Sequence, residues 1–162
     1  MSRAFVKESD GEEALPERPV GPERNLVTRR GLALIEAEIA ILRDALAVAT
    51  AAGDRSAVAR ASRDLRYWTR RRASAEPIDP PLPADGEPAK VSFGARVTVE
   101  DENGRQRSYR LVGADEAEPA SGRIAWFAPV ARALIGREVG DEVTLPGGTA
   151  EIVAIDVTPE PT

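Results

Sequence analysis

A regular spacing of apolar residues in the first third of the chain constrains its fold more than any other feature. Apolar side chains recur at alternating intervals of three and four residues, at Leu32, Ile35, Ile39, Leu42, Leu46 and Ala49. This spacing places them in one narrow seam, which is typical of a helix that packs against a single partner helix. Thr28 precedes the seam and is a suitable N-cap residue. The pattern therefore predicts a helix over residues 28–52.

The partner helix is predicted to follow at once along the chain. Gly53 and Asp54 break the first helix, and Ser56 is a candidate cap for the next one. A second apolar seam follows at Val58, Ala61, Leu65 and Trp68. Because the connection is so short, the two helices must run antiparallel, and residues 27–76 are predicted to form a helical hairpin. Half of a larger helical bundle is the alternative, although the sequence offers no further long helix to complete one.

Proline, glycine and charge divide the rest of the chain. Residues 1–26 are rich in charge, proline and glycine, and have too little apolar content to offset the entropy of ordering, so we expect a disordered or loosely attached leader. Five prolines within residues 77–89 predict a semi-rigid linker that cannot continue a helix. Residues 90–158 then form a second structured unit, and residues 159–162 are a short tail.

The second unit changes to the period of two that is typical of strands. Residues 96–100 alternate polar and apolar side chains, and Asn103-Gly104 is a strong hairpin signal. The predicted elements are strands at 96–100, 107–112 and 123–127, a helix at 130–135, and a hairpin with strands at 143–145 and 150–157. Pro129 suits the first turn of that helix. The fold class is therefore α+β, an antiparallel helical hairpin followed by a small antiparallel sheet with one short helix.

The composition excludes several classes of active site. The chain has no cysteine and no histidine, so it can form no disulfide, no thiolate metal site and no Ser-His-Asp triad. An ordinary hydrolase or zinc enzyme is therefore disfavoured. No apolar run approaches the ~20 residues needed to span a bilayer, and the amino terminus has no signal-peptide core. We expect a soluble cytoplasmic protein without membrane contact.

Charge is distributed unevenly along the chain. The formal net charge is −5, yet residues 27–76 hold ten arginines against six acidic residues. A nucleic-acid binder is more often basic overall, so the pattern favours contact with a protein surface of complementary charge. The candidate contact residues on the second helix are Arg60, Arg63, Arg66 and Arg70. Two interpretations stay open for them, namely pairing with acids of the first helix, such as Glu36, or contact with an acidic protein surface or nucleic-acid phosphates.

Several stretches of the sequence resemble the Gre family of bacterial transcription factors. In the second unit they are 91–99, 109–117, 129–136, 139–143 and the Pro146-Gly147-Gly148 turn. In the hairpin, residues 27–31 resemble the start of the first family helix. Residues 66–69 resemble the end of the second, particularly in the GreB branch. One departure is Ala128, where the family usually has serine before the proline.

The resemblance implies a mode of action. Family members carry an FK506-binding-protein-like domain that docks at the rim of the secondary channel of RNA polymerase, while the hairpin reaches into the channel. Acidic residues at the hairpin tip help to hold a catalytic magnesium ion and an attacking water, as suits a hard dication. The resemblance implies these docking residues: Asp115, Glu116, Pro129, Arg132, Ala133, Leu134 and Ile135.

The same resemblance implies what the chain lacks. The polymerase cleaves the RNA, so the factor is not an enzyme and has no cofactor of its own, and magnesium enters only through the polymerase active site. We expect a monomer whose partner is bacterial RNA polymerase. Contact with nascent RNA or DNA inside the complex is a further possibility.

Two departures weaken the cleavage role. The family tip has an aspartate and a glutamate, and here only Asp54 matches, because Ala57 stands at the glutamate position and Val58 at the following asparagine. Asp54 is equally suited to capping the second helix. Both arms are also shorter than in the cleavage factors by about eight or nine residues, or ~12 Å of helix. Asp54, the one tip candidate for metal binding, would stop short of the active site.

The sequence therefore favours a Gre-like polymerase binder that modulates elongation with weak or no transcript cleavage. The alternative is a functional cleavage factor that uses Asp54 to rescue backtracked complexes. A remote alternative, a peptidyl-prolyl isomerase, rests only on the fold analogy, which is a weak argument for activity.

Overall fold

The structure is a computed structural model of the chain, and it describes residues 15–162. It has two parts, a helical hairpin and a sheet domain. Within the described residues, no helix is both long enough and apolar enough to cross a membrane.

Two helices form the hairpin, α1 (Arg29–Ala52) and α2 (Arg55–Ser74). The predicted cap of α1 is confirmed, because Thr28 Oγ1 accepts a hydrogen bond from the backbone N–H of Gly31 at 2.9 Å. Gly53 ends α1 in the left-handed conformation, with φ of 67°, which a residue with a side chain rarely adopts. Only Gly53 and Asp54 lie between α1 and α2, so the antiparallel arrangement follows from the chain geometry.

The predicted seam forms the contact between the two helices. Ile35, Ile39 and Ala49 of α1 are buried, as is Ala61 of α2. Leu32, Leu65 and Trp68 pack partly buried against the same cluster. Burial is incomplete along the seam because a pair of helices covers only one side of each. Among the described residues no other long helix is present, so the hairpin interpretation is confirmed over the larger bundle.

Two short parallel strands join the ends of the hairpin. They are β1 (Leu26–Val27) and β2 (Glu76–Pro77), which pair in register. The pairing extends by hydrogen bonds from the Glu76 N–H to the Asn25 carbonyl at 2.9 Å and from the Ile78 N–H to the Val27 carbonyl at 3.0 Å. The chain therefore enters and leaves the hairpin at one point, directly beside the sheet domain.

The leader differs from the expected disorder where the structure describes it. Residues 15–26 run in an extended path along α2, held by side-chain contacts of Glu17 and Arg18 and by the strand β1. Polar contacts order this segment, and the hydrophobicity of its residues does not predict such contacts. Residues 1–14, the rest of the predicted leader, lie outside the described residues.

The sheet domain has five strands in the order β5-β4-β3-β7-β6. Their bounds are β3 (Arg96–Asp101), β4 (Gln106–Val112), β5 (Arg123–Ala125), β6 (Glu142–Leu145) and β7 (Gly148–Asp156). The predicted turn at Asn103-Gly104 joins β3 to β4, and the Asp101 carboxylate accepts the N–H groups of Asn103 and Arg105. Pro146 and Gly147 form the second hairpin turn, between β6 and β7.

The sheet is mixed, which corrects the fully antiparallel sheet of the prediction. Strand β5 pairs with β4 in parallel, because the connection crosses over through two short 3-10 turns, Ala114–Glu116 and Pro119–Ser121. The helix α3 (Pro129–Leu134) covers one face of the sheet, with Pro129 at its first position as predicted. Its Ala131 and Leu134 enter the core of the sheet domain. The likeness to FK506-binding protein stays a prediction.

The last residues of the chain, the predicted tail, pack against the sheet domain. Glu160 accepts a hydrogen bond from Arg123 at 2.5 Å and lies 3.5 Å from Arg110. The two guanidinium groups lower the pKa of the Glu160 carboxyl, although its burial opposes them as the largest single effect. The carboxyl-terminal residues therefore tie together β4 and β5.

The seam provides a matched test of the hairpin. Ile35 is 1% exposed in the contact between the helices, and Ile41 is 60% exposed on the outer face of the same helix. We expect Ile35→Ala to lower the free energy of unfolding by about 2–5 kcal/mol, because it leaves a cavity. Ile41→Ala should change it by less than about 0.5 kcal/mol. Urea unfolding followed by far-UV circular dichroism measures both, and equal losses would contradict the seam.

Candidate functional site

The hairpin tip carries one acidic residue, and the fold uses it as a helix cap. Asp54 precedes α2, and its Oδ1 accepts a hydrogen bond from the backbone N–H of Ala57 at 2.9 Å. Its side chain is exposed, and the cap satisfies one of the amide groups that have no partner at the start of a helix. Ser56, the other predicted cap, lies inside the first turn. The capping role of Asp54 is therefore present in the free protein.

The tip offers little for holding a metal ion. Over residues 15–162, no group of three or more acidic residues is placed to hold a metal. Ala57 supplies only a backbone N–H, at the position where the resemblance implies a glutamate. A hard dication takes six or more oxygen ligands, and one exposed carboxylate cannot by itself provide a cage. Asp54 could contribute one ligand, and the rest would have to come from a partner.

A buried polar junction fixes the hairpin on the sheet domain. Asp115 accepts hydrogen bonds from Tyr67 Oη at 2.7 Å and from Arg71 Nε at 2.5 Å. Arg71 also donates to the side chain of Asn25 at 2.5 Å, and its own side chain is 6% exposed. Burial, and then the hydrogen bond to Asp115, raise the pKa of Tyr67, so the phenol stays a donor. Segments far apart in sequence meet in this network.

A second carboxylate, that of Glu116, lies in the junction beside that of Asp115. Glu116 is buried, and both of its carboxyl oxygens lie 2.8 Å from Thr28 Oγ1, the hydroxyl that caps α1. A Cβ at position 31 would overlap the Glu116 carboxylate, so Gly31 permits this close approach. Burial raises the pKa of Glu116 above its ordinary value, while Thr28 and the charge of Arg123 oppose the shift. The cap of α1 and the sheet domain are thus held by the same contact.

The structure separates the predicted docking residues into two groups. Pro129, Arg132 and Ile135 are exposed on α3 and its end, and Ala133 is half-buried between them. Leu134 is fully buried in the sheet core and cannot touch a partner. The remaining two, Asp115 and Glu116, form the junction.

The basic face of α2 is largely paired within the chain. Arg66 and Arg70 pair with Glu17 of the leader, and Arg63 pairs with its neighbour Asp64. Of the predicted partners on α1, Glu36 does pair with an arginine, Arg72, at 2.8 Å. Arg60 is exposed nearer the tip.

Sequence reasoning missed the roles of Arg71, Tyr67 and Asn25 in the junction. No local pattern marks them, because their partners are separated from them by more than forty residues. One signal in the sequence could have identified Arg71. It lies on the seam side of the second helix, near Trp68, and an arginine at such a position is expected to be buried only when it is paired.

The fold is a helical hairpin carried on a small mixed-sheet domain. The sequence profile described as Transcription elongation factor, GreA/GreB, C-term, matches residues 86–159. The chain is 36% identical over 157 residues to transcription elongation factor GreB of Yersinia pestis, covering 85% of this chain and 90% of the relative. It is 49% identical over 72 residues to GreA of Sinorhizobium medicae, covering 41% of this chain and 46% of the relative.

Among solved structures, GreA factor homolog 1 (Gfh1) of Thermus thermophilus aligns with 20% identity and a TM-score of 0.40, over 83% of this chain and 99% of that one. The extent and identity of the match to GreB show that the chain belongs to the GreA/GreB family of transcription elongation factors. It is therefore an accessory factor that acts through RNA polymerase and is not itself an enzyme. These relatives give no support to the peptidyl-prolyl isomerase alternative.

The buried carboxylate predicts a dependence of stability on pH. Because the folded-state pKa of Glu116 lies above the ordinary value of 4.5, its ionisation costs stability as pH rises through the window above 4.5. We expect the stability of Glu116→Gln relative to wild type to increase across this window and then to level off. Urea unfolding over a series of pH values measures the difference. Glu102→Gln, at an exposed position, controls for net charge, and a difference that is flat with pH would contradict the assignment.

Proposed function

We propose that this protein binds bacterial RNA polymerase at the rim of the secondary channel and modulates elongation with little or no transcript cleavage. It does so as a monomer in the cytoplasm, with the sheet domain docked and the hairpin inside the channel. The observation that carries the proposal is the tip, where Asp54 stands as the only carboxylate and caps α2.

The chemistry of cleavage demands more than this tip contains. A second catalytic magnesium needs several oxygen ligands and a positioned water, and cleavage would require the finger to supply part of that set. With Ala57 and Val58 following the cap, the finger adds at most one carboxylate. Removal of one group from a preorganised site typically costs ~3–4 kcal/mol of transition-state stabilisation.

The length of the finger is a second argument against transcript cleavage. α1 has 24 residues, which corresponds to about 36 Å of helix. The resemblance to the cleavage factors implies arms that are about two turns shorter, or ~12 Å. Because a misplacement of about 1 Å already costs catalysis heavily, such a shortfall would prevent direct participation of Asp54.

The junction supports a rigid mode of insertion. A finger that enters a channel can act only if its direction is set by the docked domain. Here Asp115 and Glu116 bind both helices of the hairpin close to their bases. The factor would therefore occupy the channel as one body and affect elongation by its presence there. Contact of the basic α2 face with nascent RNA or DNA is compatible with this placement.

Transcript cleavage tests the proposal directly. In a stalled, backtracked elongation complex with magnesium, the wild-type protein and Asp54→Ala should give the same slow rate as polymerase alone. Ala57→Glu, which restores the second carboxylate, should still give no stimulation if finger length is limiting. Stimulation by wild type that Asp54→Ala abolishes would instead favour the alternative, a functional cleavage factor.

Docking is tested with the exposed residues of α3. We expect Arg132→Glu to weaken binding to core polymerase at least tenfold, because it places a like charge against the acidic surface that the proposal requires. Arg105→Glu makes the same change in charge at the exposed turn between β3 and β4 and should leave binding within twofold. Fluorescence anisotropy of the labelled factor measures the binding of both variants, and equal effects would contradict the docking assignment.

A further inference from the structure

The helix α3 covers only one end of the sheet face on which it packs. It has six residues and is about 9 Å long, whereas β7 has nine residues and runs for about 30 Å. The other end of this face stays open between the two hairpin turns of the sheet. There it forms a cleft of about 140 Å³, lined by residues of β3, β4, β6, β7 and the turns.

The floor of this cleft is apolar and contains one aromatic ring. Val99 and Ala150 are buried beneath it, and Tyr109 and Leu145 are partly buried where they pack against the core. Within residues 15–162, no other ring and no cation covers the ring of Tyr109. A cavity of about 150 Å³ takes up one benzene molecule, so the cleft has room for a single planar ring beside Tyr109.

Two arginines and one aspartate lie at the rim of the cleft. Arg105 and Arg107 are exposed, and in the described part of the chain neither guanidinium forms a hydrogen bond or a close ion pair. The backbone N–H of Arg105 lowers the pKa of the Asp101 carboxyl most, and the charges of both arginines add to this shift. Both guanidinium groups therefore lie near Asp101. Two positive charges against one negative charge leave the rim with a net charge of +1.

The aspartate at the rim keeps one oxygen for a ligand. Asp101 Oδ1 accepts the backbone N–H groups of Asn103 at 2.8 Å and of Arg105 at 3.0 Å. Its Oδ2 accepts no hydrogen bond from any residue that the structure describes, so it is available to a hydroxyl donor. The cleft thus offers three different chemistries side by side, namely cations for an anion, a carboxylate oxygen for a hydroxyl, and an aromatic ring for a planar group.

The cleft is separate from the residues that are proposed to dock on polymerase. The helix α3 begins shortly after β5, and β5 pairs with the end of β4 at Arg110–Val112. The cleft lies at the opposite end of β4, beside the turn that follows β3. A ligand can therefore occupy it whether or not α3 is in contact with a partner.

We propose that this cleft binds a free nucleoside diphosphate. The phosphates pair with Arg105 and Arg107, since guanidinium groups match phosphate oxygens in geometry and charge. A ribose hydroxyl donates to Asp101, and the base stacks on Tyr109. A nucleotide carries all three of these groups, whereas an acidic peptide would satisfy only the arginines and would bring further carboxylates towards Asp101.

The test measures binding of UDP, whose base is a single ring, to the purified full-length protein by isothermal titration calorimetry. Arg105→Gln combined with Arg107→Gln should weaken binding at least tenfold, because the charge-assisted contacts to phosphate are lost. Arg43→Gln combined with Arg60→Gln removes the same charge from exposed positions of the hairpin and should leave the affinity within twofold. Equal losses would show a general effect of charge and would overturn the proposal, as would no binding of wild type at about 1 mM UDP.

The aromatic ring provides the second arm of the test. Tyr109→Phe keeps the ring and should bind UDP within twofold of wild type. Tyr109→Leu keeps an apolar side chain but has no ring face, and should weaken binding about fivefold or more. Circular dichroism shows whether each variant is folded, and equal affinities of the two folded variants would contradict stacking on Tyr109.

Two other ligands test the chemical class. Inorganic pyrophosphate lacks the nucleoside and should bind at least tenfold more weakly than UDP, so equal affinity would reduce the cleft to a simple anion site and overturn the proposal. A short polyglutamate peptide that binds more tightly than UDP, and loses affinity in the double arginine variant, would assign the cleft to an acidic protein segment instead. Because no polymerase is present in these experiments, either failure is separate from failure of the proposed docking.

Discussion

The buried ion pair between Arg71 and Asp115 is the interaction on which the rest of the structure depends. It lies where α2 meets the sheet domain, and its two side chains are 6% and 12% exposed. Tyr67 and Asn25 complete the hydrogen bonds of the pair, so neither charge is buried without a partner. Removal of one partner from such a pair typically costs about 3–5 kcal/mol, because the other charge then stays buried alone. A polar contact of this kind fixes the direction of the hairpin relative to the sheet domain, because its hydrogen bonds are satisfied at one orientation only.

The geometry of the finger follows from that junction. Thr28 caps α1 and touches Glu116, so the start of the first helix and the sheet domain share one contact. The parallel pairing of β1 with β2 brings the other end of the hairpin to the same point. The tip therefore projects from this junction, at a distance set by the length of the two helices. Under the proposed function, the length of the finger and the chemistry of its tip would decide between transcript cleavage and simple occupancy of the channel.

Much of the fold was predictable, because it depends on short-range patterns. The seam of α1, its Thr28 cap, the Asn103-Gly104 turn and Pro129 at the start of α3 are local signals, and all are confirmed. The parallel pairing of β5 was not predictable, because it depends on how the connection crosses the end of the sheet. The order of the leader was also missed. Its contacts are ion pairs and a cation–ring contact with α2, which no hydrophobic period along the segment could reveal.

The sequence by itself determined the hairpin, the absence of a second tip carboxylate at Ala57, and the family. Each of these follows from the identity and the spacing of residues. Only the tertiary structure decided what the charged residues do. Asp115 and Glu116 suited a docking surface by resemblance, yet both are bound to the hairpin. Arg66 and Arg70 could have faced solvent or α1, yet they hold Glu17. The physical reason is that electrostatic contacts act through space between distant segments, whereas hydrophobic periodicity is already present along the chain.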